Sequence, residues 1–293
     1  MIKKILFIPL SNIGDAVMTL PTFLFLKKKY PDAKFDLICD PRSLDIFKTL
    51  PSVNKIFLRD KKVSFFEKLK LIKNLRQVNY DLAIDLKTDF LLTFLKSKKK
   101  YSKTYDNSLH SVEKHFKSVS NDFGLIPSPR IYIPTKIQKK INDLISFNKG
   151  KVITIALGAN SEHKIWPTEN YIKLIKLFKN KFTNIILVGN KKDNVKAELF
   201  MKKYKGNIIN FCGKFSIIET AAIIKKSNLF LGNDSGLGHI ASAVDVKSFT
   251  IFGEGDPNRY KPWGKKSYYF QNIEKKINLI EPEVIFREIK KIL

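Results

Sequence analysis

The most constraining feature of this chain is an alternation: short apolar runs are each followed by a longer segment with apolar residues at helical spacing. Residues 3–9 open the series as a strand, and Ala16–Tyr30 follow as the first helical segment. Strands at 34–39, 53–58 and 80–85 then alternate with helices at 42–50 and 64–78, and 90–95 and 110–123 read as further helices. A strand that is apolar on both faces must be covered on both faces, and an intervening helix lets the chain return and pair such strands in parallel. The pattern therefore implies an α/β fold built on doubly wound parallel sheets.

The proline-spaced stretch Ile126-Pro-Ser-Pro-Arg-Ile-Tyr-Ile-Pro134 interrupts the series and marks a boundary. Beyond it the alternation restarts. Helices are expected at 136–147, 168–180, 193–204, 216–226 and 237–244, strands at 151–157, 184–188, 207–211, 229–231 and 247–252, and Pro282 suits the first turn of a final helix. The 293 residues suffice for two ordinary domains. The divisions read as 1–134, 135–280 and a closing helix at 281–293 that packs back toward the first half. Two such halves would form a cleft. Ligands of open α/β sheets bind outside the carboxyl ends of the strands, where the turns at Gly14-Asp15, Gly158 and Gly232–Gly236 fall.

A formal charge of +27 asks for an explanation in nucleic acid, an anionic membrane surface or a lysine-rich composition. The excess is almost all lysine, with six arginines in the chain, whereas phosphate and base readers rely on arginine's bidentate fork. The lysines are scattered in ones, twos and threes, as in Lys27–Lys29 and Lys98–Lys100, with no basic arm. Composition and a membrane surface are therefore favoured over nucleic acid. No apolar run approaches the length needed to span a bilayer, and the start runs directly into a strand pattern, so a cytoplasmic location is expected. Cys39 and Cys212 are too few and too distant for a disulfide framework and read as buried thiols.

Chemistry concentrates in the turns. In Leu229-Phe-Leu-Gly-Asn-Asp-Ser-Gly-Leu-Gly-His239 an apolar run breaks into glycines and a helix follows, so the helix N-terminus offers unbonded N–H groups and positive potential to a phosphate. Asp234, Ser235, Gly236, Leu237 and His239 line that mouth. Many α/β proteins carry such a turn without a ligand, and the glycines do not flank Ser235 as a hydrolase elbow requires. Asp15, after Gly14 at the first strand's mouth, could take a proton from a hydroxyl or cap its helix. Lys164, beside Trp166-Pro167 and a few residues after Gly158, could stabilise a departing diphosphate or simply be solvated. Glu219 could close a capping box with Ser216 or accept hydrogen bonds from a ribose. His110, His115, His163 and His239 have no metal-ligand spacing, so neither metal nor cofactor is expected.

Taken together, five stretches resemble glycosyltransferase family 9, the ADP-heptose:lipopolysaccharide heptosyltransferases. They are Ile8-Pro-Leu-Ser-Asn-Ile-Gly-Asp-Ala-Val17 with Leu20-Pro21; Lys164-Ile-Trp-Pro167; Gly213-Lys-Phe-Ser-Ile-Ile-Glu219; Gly232-Asn-Asp-Ser-Gly-Leu-Gly-His239; and Ile251-Phe-Gly-Glu-Gly-Asp-Pro257 with Pro262-Trp-Gly264. They fall in the family's order along nearly the whole chain. The resemblance implies the GT-B fold, two Rossmann-like domains facing across a cleft, with residues 1–134 binding the acceptor and 135–280 the nucleotide sugar. It implies an inverting, metal-independent transfer in which Asp15 is the base. Lys164 would lie at the donor phosphates, Glu219 at the nucleoside, and Asp234, Gly236 and His239 at the turn bordering the diphosphate. Asn12, His110 and Lys114 would meet the acceptor. Pro9 stands where such proteins commonly carry Arg or Lys, and His110-Ser-Val-Glu-Lys114 stands for a His-x-x-Glu-Arg-like segment.

The reading is an enzyme that moves heptose from ADP-L-glycero-D-manno-heptose to a lipopolysaccharide core or related surface glycan, with peripheral contact to the anionic inner membrane and none with nucleic acid. One alternative keeps the fold and changes donor or acceptor. Another is a non-catalytic basic protein that binds nucleic acid or anionic lipid, for which the sequence offers charge alone.

Overall fold

The computed structural model describes residues 1–60, 64–87, 91–147 and 150–293. It divides into two compact units, Met1–Tyr132 and Ile133–Leu293, each built on one parallel sheet.

In the first unit the strands are β1 (Lys4–Ile8), β2 (Lys34–Cys39), β3 (Val53–Leu58), β4 (Tyr80–Asp85) and β5 (Ser97–Ser102), in the order β3-β2-β1-β4-β5. Their helices are α1 (Ile13–Lys29), α2 (Leu44–Phe47), α3 (Phe65–Arg76) and α4 (Ser111–Phe116). β1 lies at the centre, with Phe7 opposite Leu37 of β2 and Ile8 opposite Asp85 of β4. Ile5–Ile8 are buried because helices cover both faces of the sheet, which is why this strand reads as a continuous apolar run. The chain leaves β1 between strands that run away on either side, the topological switch point of this sheet.

The second unit orders its strands β11-β10-β9-β6-β7-β8, all neighbours parallel. They are β6 (Val152–Ala156), β7 (Asn184–Val188), β8 (Asn207–Asn210), β9 (Leu229–Asn233), β10 (Ser248–Phe252) and β11 (Ser267–Gln271). The helices are α5 (Thr135–Leu144), α6 (Thr168–Leu177), α7 (Asn194–Lys203), α8 (Ile217–Ile224), α9 (Gly236–Ala243), α10 (Pro257–Tyr260) and α11 (Pro282–Lys290). Here the switch point lies between β6 and β9, paired with Ala156 opposite Gly232.

Two strands escape the sequence pattern, and both are sheet edges. β5 is Ser-Lys-Lys-Lys-Tyr-Ser, so Lys98–Lys100, read above as scattered surface charge, are an exposed edge strand. Lysines there discourage pairing with another chain and at the same time erase the apolar signature of a strand. β11 is only partly buried and follows α10, a helix of a single turn that the alternation does not show. The expected helices at 42–50 and 110–123 shrink to α2 and α4, and the expected helix at 90–95 is a 3₁₀ turn at Leu91–Phe94, Phe90 lying outside the described residues. The closing helix α11 packs on α6, and Ile285 and Ile289 belong to the second unit's own core. Its apolar stripe is matched by that core. Cys39 and Cys212 are buried and unbridged, and burial pushes both thiols up to about 12.

On α4, His115 is 2% exposed and neither ring nitrogen has a hydrogen-bond partner among the described residues. Burial, helped by Lys103 and Lys114, pulls its pKa down to about 3. The unfolded chain, titrating near 6.5, takes up a proton that the native state refuses between those two values. His115 therefore costs no stability above about pH 6.5 and up to about 1.4 kcal/mol for each pH unit below it, until about pH 3. Denaturant titrations near pH 6.5 and pH 4.5 should show a steeper acid loss for the wild type than for His115→Leu; parallel losses would mean the ring is solvated or bonded.

Candidate active site

In the first unit, the loop leaving β1 leads directly into α1, and this is where Asp15 sits. Asn12 is the N-cap residue, and Asp15 is the third residue of the helix, so Asp15 is not the cap that the sequence also allowed. Asn12 Nδ2 donates to Asp15 Oδ2 at 2.9 Å, and Asn12 Oδ1 accepts from Arg42 Nη1 at 2.9 Å. Arg42 is itself held by Asp40, at the end of β2: Nε donates to Oδ1 at 2.8 Å and Nη2 to Oδ2 at 2.9 Å. The Arg42 guanidinium brings the buried Asp40 carboxyl down to about 2. Asp40, Arg42, Asn12 and Asp15 thus form one chain of hydrogen bonds across the carboxyl ends of β2 and β1. Because the guanidinium can only donate, it sets which way the Asn12 amide faces, and the amide nitrogen is left to hold a partly exposed Asp15 carboxylate. That carboxylate keeps an open side and a fixed orientation, as a base requires.

His110 and Lys114 occupy local structural positions. His110 is the N-cap of α4, its Nδ1 accepting from Val112 N at 3.1 Å, while Glu113 Oε2 accepts from the His110 N–H at 3.0 Å. Lys114 is 7% exposed and its Nζ donates to Asn107 Oδ1 at 2.7 Å.

In the second unit, three loops converge at the carboxyl ends of β6, β9 and β10. Lys164, in the 3₁₀ turn that ends the loop after β6, places Nζ 2.5 Å from Asp234 Oδ2 in the turn after β9. The lysine side chain is 36% exposed and the aspartate 9%, so the ammonium is anchored on one side and open on the other. The loop after β10 closes against the same pair: a Cβ on Gly255 would come within 2.6 Å of Asp234 Oδ2, and one on Gly253 within 2.8 Å of His163 O. Gln271, on the edge strand β11, holds that loop by donating to the carbonyls of Gly253 at 2.5 Å and Gly255 at 2.6 Å.

The pin of the arrangement is Asn233, fully buried at the end of β9. Its Oδ1 accepts from the Trp166 backbone N–H at 3.0 Å and from Tyr171 Oη–H at 2.8 Å. Its Nδ2 donates to the carbonyls of Leu157 at 3.1 Å and Gly158 at 3.4 Å. One amide therefore fixes the loop carrying Gly158 and Lys164 against the turn carrying Asp234. Trp166 is locked further by its Nε1–H donating to Ile280 O at 2.9 Å and by an edge-on contact with Tyr171. Gly158 is glycine because a Cβ there would lie 1.9 Å from the carboxylate of buried Asp193.

Ser235, Gly236, Leu237 and His239 occupy the N-cap and first turn of α9. Ser235 makes no capping hydrogen bond, and its Oγ is shielded from solvent with no partner among the described residues. The leading N–H groups of α9 also lack intrahelical acceptors. An ammonium and a helix N-terminus thus lie at the same strand ends, donors suited to a diphosphate. His239 is buried one turn further in.

Glu219 closes a capping box with Ser216 on α8, and Lys140 Nζ donates to its Oε1 at 2.5 Å. Lys140 and the Ser216 donors hold the Glu219 carboxyl below its ordinary range, so it is ionised and acceptor-only at neutral pH. The helix-capping reading of Glu219 is thereby realised, and Lys140 adds a charge partner 79 residues away that sequence spacing does not announce. Gln271, Arg42 and Asp40 likewise lie outside the five family-like stretches, whereas Asn233 lies within Gly232–His239. A polar residue ending an otherwise apolar strand was the signal available for Asn233. Among the described residues no cluster of His, Cys, Asp and Glu is arranged to hold a metal ion.

The family pattern and the curated relatives agree on one group. The sequence pattern of glycosyltransferase family 9 (heptosyltransferase) matches residues 92–285. Lipopolysaccharide heptosyltransferase 3 of Escherichia coli K12 is 27% identical over 88% of this chain and 84% of its own. The structure of the E. coli ADP-heptose lps heptosyltransferase II superposes with a TM-score of 0.83 at 20% identity, over 99% of this chain and 98% of that one. The E. coli heptosyltransferase WaaC with ADP superposes at 0.80 and 18% identity, over 99% and 100%. These likenesses give the GT-B fold of those structures.

Proposed function

Since the chain belongs to glycosyltransferase family 9, the heptosyltransferases, we propose that it transfers heptose from ADP-L-glycero-D-manno-heptose to a lipopolysaccharide core or a closely related surface glycan. The donor and acceptor rest on the names of its relatives, which include lipopolysaccharide and lipooligosaccharide heptosyltransferases and a heptosyltransferase solved with ADP. The single observation that carries the reading is the mouth between β6 and β9, where the Lys164 ammonium is held by Asp234, the residue that leads directly into Ser235 and the start of α9.

The second unit, Ile133–Leu293, binds the donor in this reading, and the first, Met1–Tyr132, presents the base. Asp15 removes the proton from the acceptor hydroxyl as its oxygen attacks the anomeric carbon. The bond from that carbon to the diphosphate breaks, and ADP leaves with the electron pair. One displacement of this kind inverts the anomeric centre. Negative charge grows on the departing diphosphate, and Lys164 with the N-terminus of α9 neutralises it there. Asp234 keeps the ammonium in place, and Glu219 accepts from the nucleoside's hydroxyls. We assign acceptor contacts to Asn12, His110 and Lys114. A lipid-anchored acceptor places the work on the cytoplasmic face of the inner membrane, in peripheral contact with anionic lipid. No described helix is long and apolar enough to cross a membrane.

Incubation with ADP-heptose and a deacylated core acceptor, followed by mass spectrometry, tests the function: one added heptose and released ADP are expected, and neither product would reject it. Lys164→Ala should lower kcat/KM for the donor by about 10²-fold, the scale of losing one preorganised charge at a leaving group. Steady-state kinetics indistinguishable from wild type would make Lys164 a partner of Asp234 and nothing more.

A further inference from the structure

α3 is unlike the other helices of the first unit in how little of it is buried. Its inner side sets Leu71, Ile72 and Leu75 against the core formed by Leu6, Ile38 and Tyr80. Its outer side carries Phe66, Leu69, Lys70 and Lys73, residues at i, i+3, i+4 and i+7 that share one helical face, and Arg76 extends the row. Phe66 is 80% exposed and Leu69 47%, and the cations are exposed too. The one acid of the helix, Glu67, is drawn to its start, where its Oε2 accepts from Ser64 N at 2.8 Å and from Ser64 Oγ at 3.0 Å. The 3₁₀ turn Leu91–Phe94 abuts α3 and exposes Phe94 by 56%, and the exposed lysines of β5 follow it in sequence.

We propose that the outward face of α3 docks the protein on an anionic lipid bilayer, with Phe66 and Leu69 entering the interface and Lys70, Lys73 and Arg76 lying among the headgroups. Charge complementarity selects this occupant. A protein partner for an apolar pair surrounded by cations would have to supply acids in register. A bilayer with anionic lipid supplies both an apolar layer and diffuse negative charge, and the long basic side chains reach back to the headgroups while their stems stay in the apolar region. The unit that is proposed to receive a lipid-linked acceptor would then be held where that acceptor resides. The choice of partner rests on the functional reading above, but the binding itself can be measured without turnover.

Flotation of the full chain with phosphatidylcholine vesicles, with and without phosphatidylglycerol, is the experiment. Binding is expected only with phosphatidylglycerol and should weaken as salt is raised. Phe66→Ser with Leu69→Ser should reduce the bound fraction by about tenfold or more. Both positions are solvent-facing, so the fold is retained, and transfer to a water-soluble acceptor should be unchanged. Lys191→Glu with Lys192→Glu, on the second unit, should change binding by less than about twofold. Absence of vesicle binding, equal binding by the serine variant, or an equal loss from the Lys191 and Lys192 changes would overturn the proposal, the last by showing that overall charge alone is at work. Failure of transfer with intact vesicle binding would count against the enzyme reading and leave the docking face standing.

Discussion

Asp15→Asn should lower the rate of heptose transfer by about 10²- to 10⁴-fold, the range of a positioned general base, while donor affinity stays within about twofold of wild type. The substitution is nearly isosteric, and the side chain is partly exposed at the third position of α1. The amide oxygen of the new Asn can still accept from Asn12 Nδ2, so the hydrogen-bonded chain back to Arg42 and Asp40 is kept. The cost to folding is the loss of one negative charge near a helix N-terminus, about 0.3–1 kcal/mol. What the change removes is the ability to take a proton. Single-turnover measurements with saturating donor separate this from binding, and a residual rate above about a tenth of wild type would reject Asp15 as the base.

Asn233→Ala should destabilise the second unit by about 3–5 kcal/mol and weaken donor binding in the fraction that remains folded. The Trp166 N–H, the Tyr171 hydroxyl and the carbonyls of Leu157 and Gly158 would all lose a partner in a site with no exposure to solvent. Each buried polar group left so costs about 1–3 kcal/mol, and local relaxation recovers part of it. Tyr171→Phe is the control. It takes away one donor to Asn233 Oδ1, which keeps its bond from Trp166, so a loss of about 1 kcal/mol is expected. Urea titration checks both, and equal small losses would mean that Asn233 does not tie the loops together.

The contrast between Asn233 and Asp15 indicates what can be read from a chain of this type. β1, β6 and β9 are legible because a strand covered on both faces must be apolar throughout, and α8 is legible because Ser216 and Glu219 satisfy its first N–H groups at a fixed spacing. Gly14, Asp15, Gly158 and Asp234 stand out because they break apolar runs at the carboxyl ends of strands, where an open α/β sheet binds its ligands. β5 is hidden because the residues that protect its exposed edge are lysines, and β11 because it is only partly buried and stands beyond a helix of a single turn. Asp40, Arg42, Lys140 and Gln271 are hidden for another reason. Their roles exist only after folding brings them beside Asn12, Glu219 and the Gly253–Gly255 loop, and no periodicity anticipates a partner so far along the chain.

The central claim is that the mouth of β6 and β9 receives a nucleoside diphosphate. Titrating isotopically labelled protein with ADP and following backbone amide resonances tests it at the level of residues. The largest shifts should fall on Gly158, Lys164 and the Ser235–Leu237 turn, and Lys164→Ala should weaken the titration without moving its location. Shifts centred on other strand ends of either sheet, or none at saturating ADP, would contradict it.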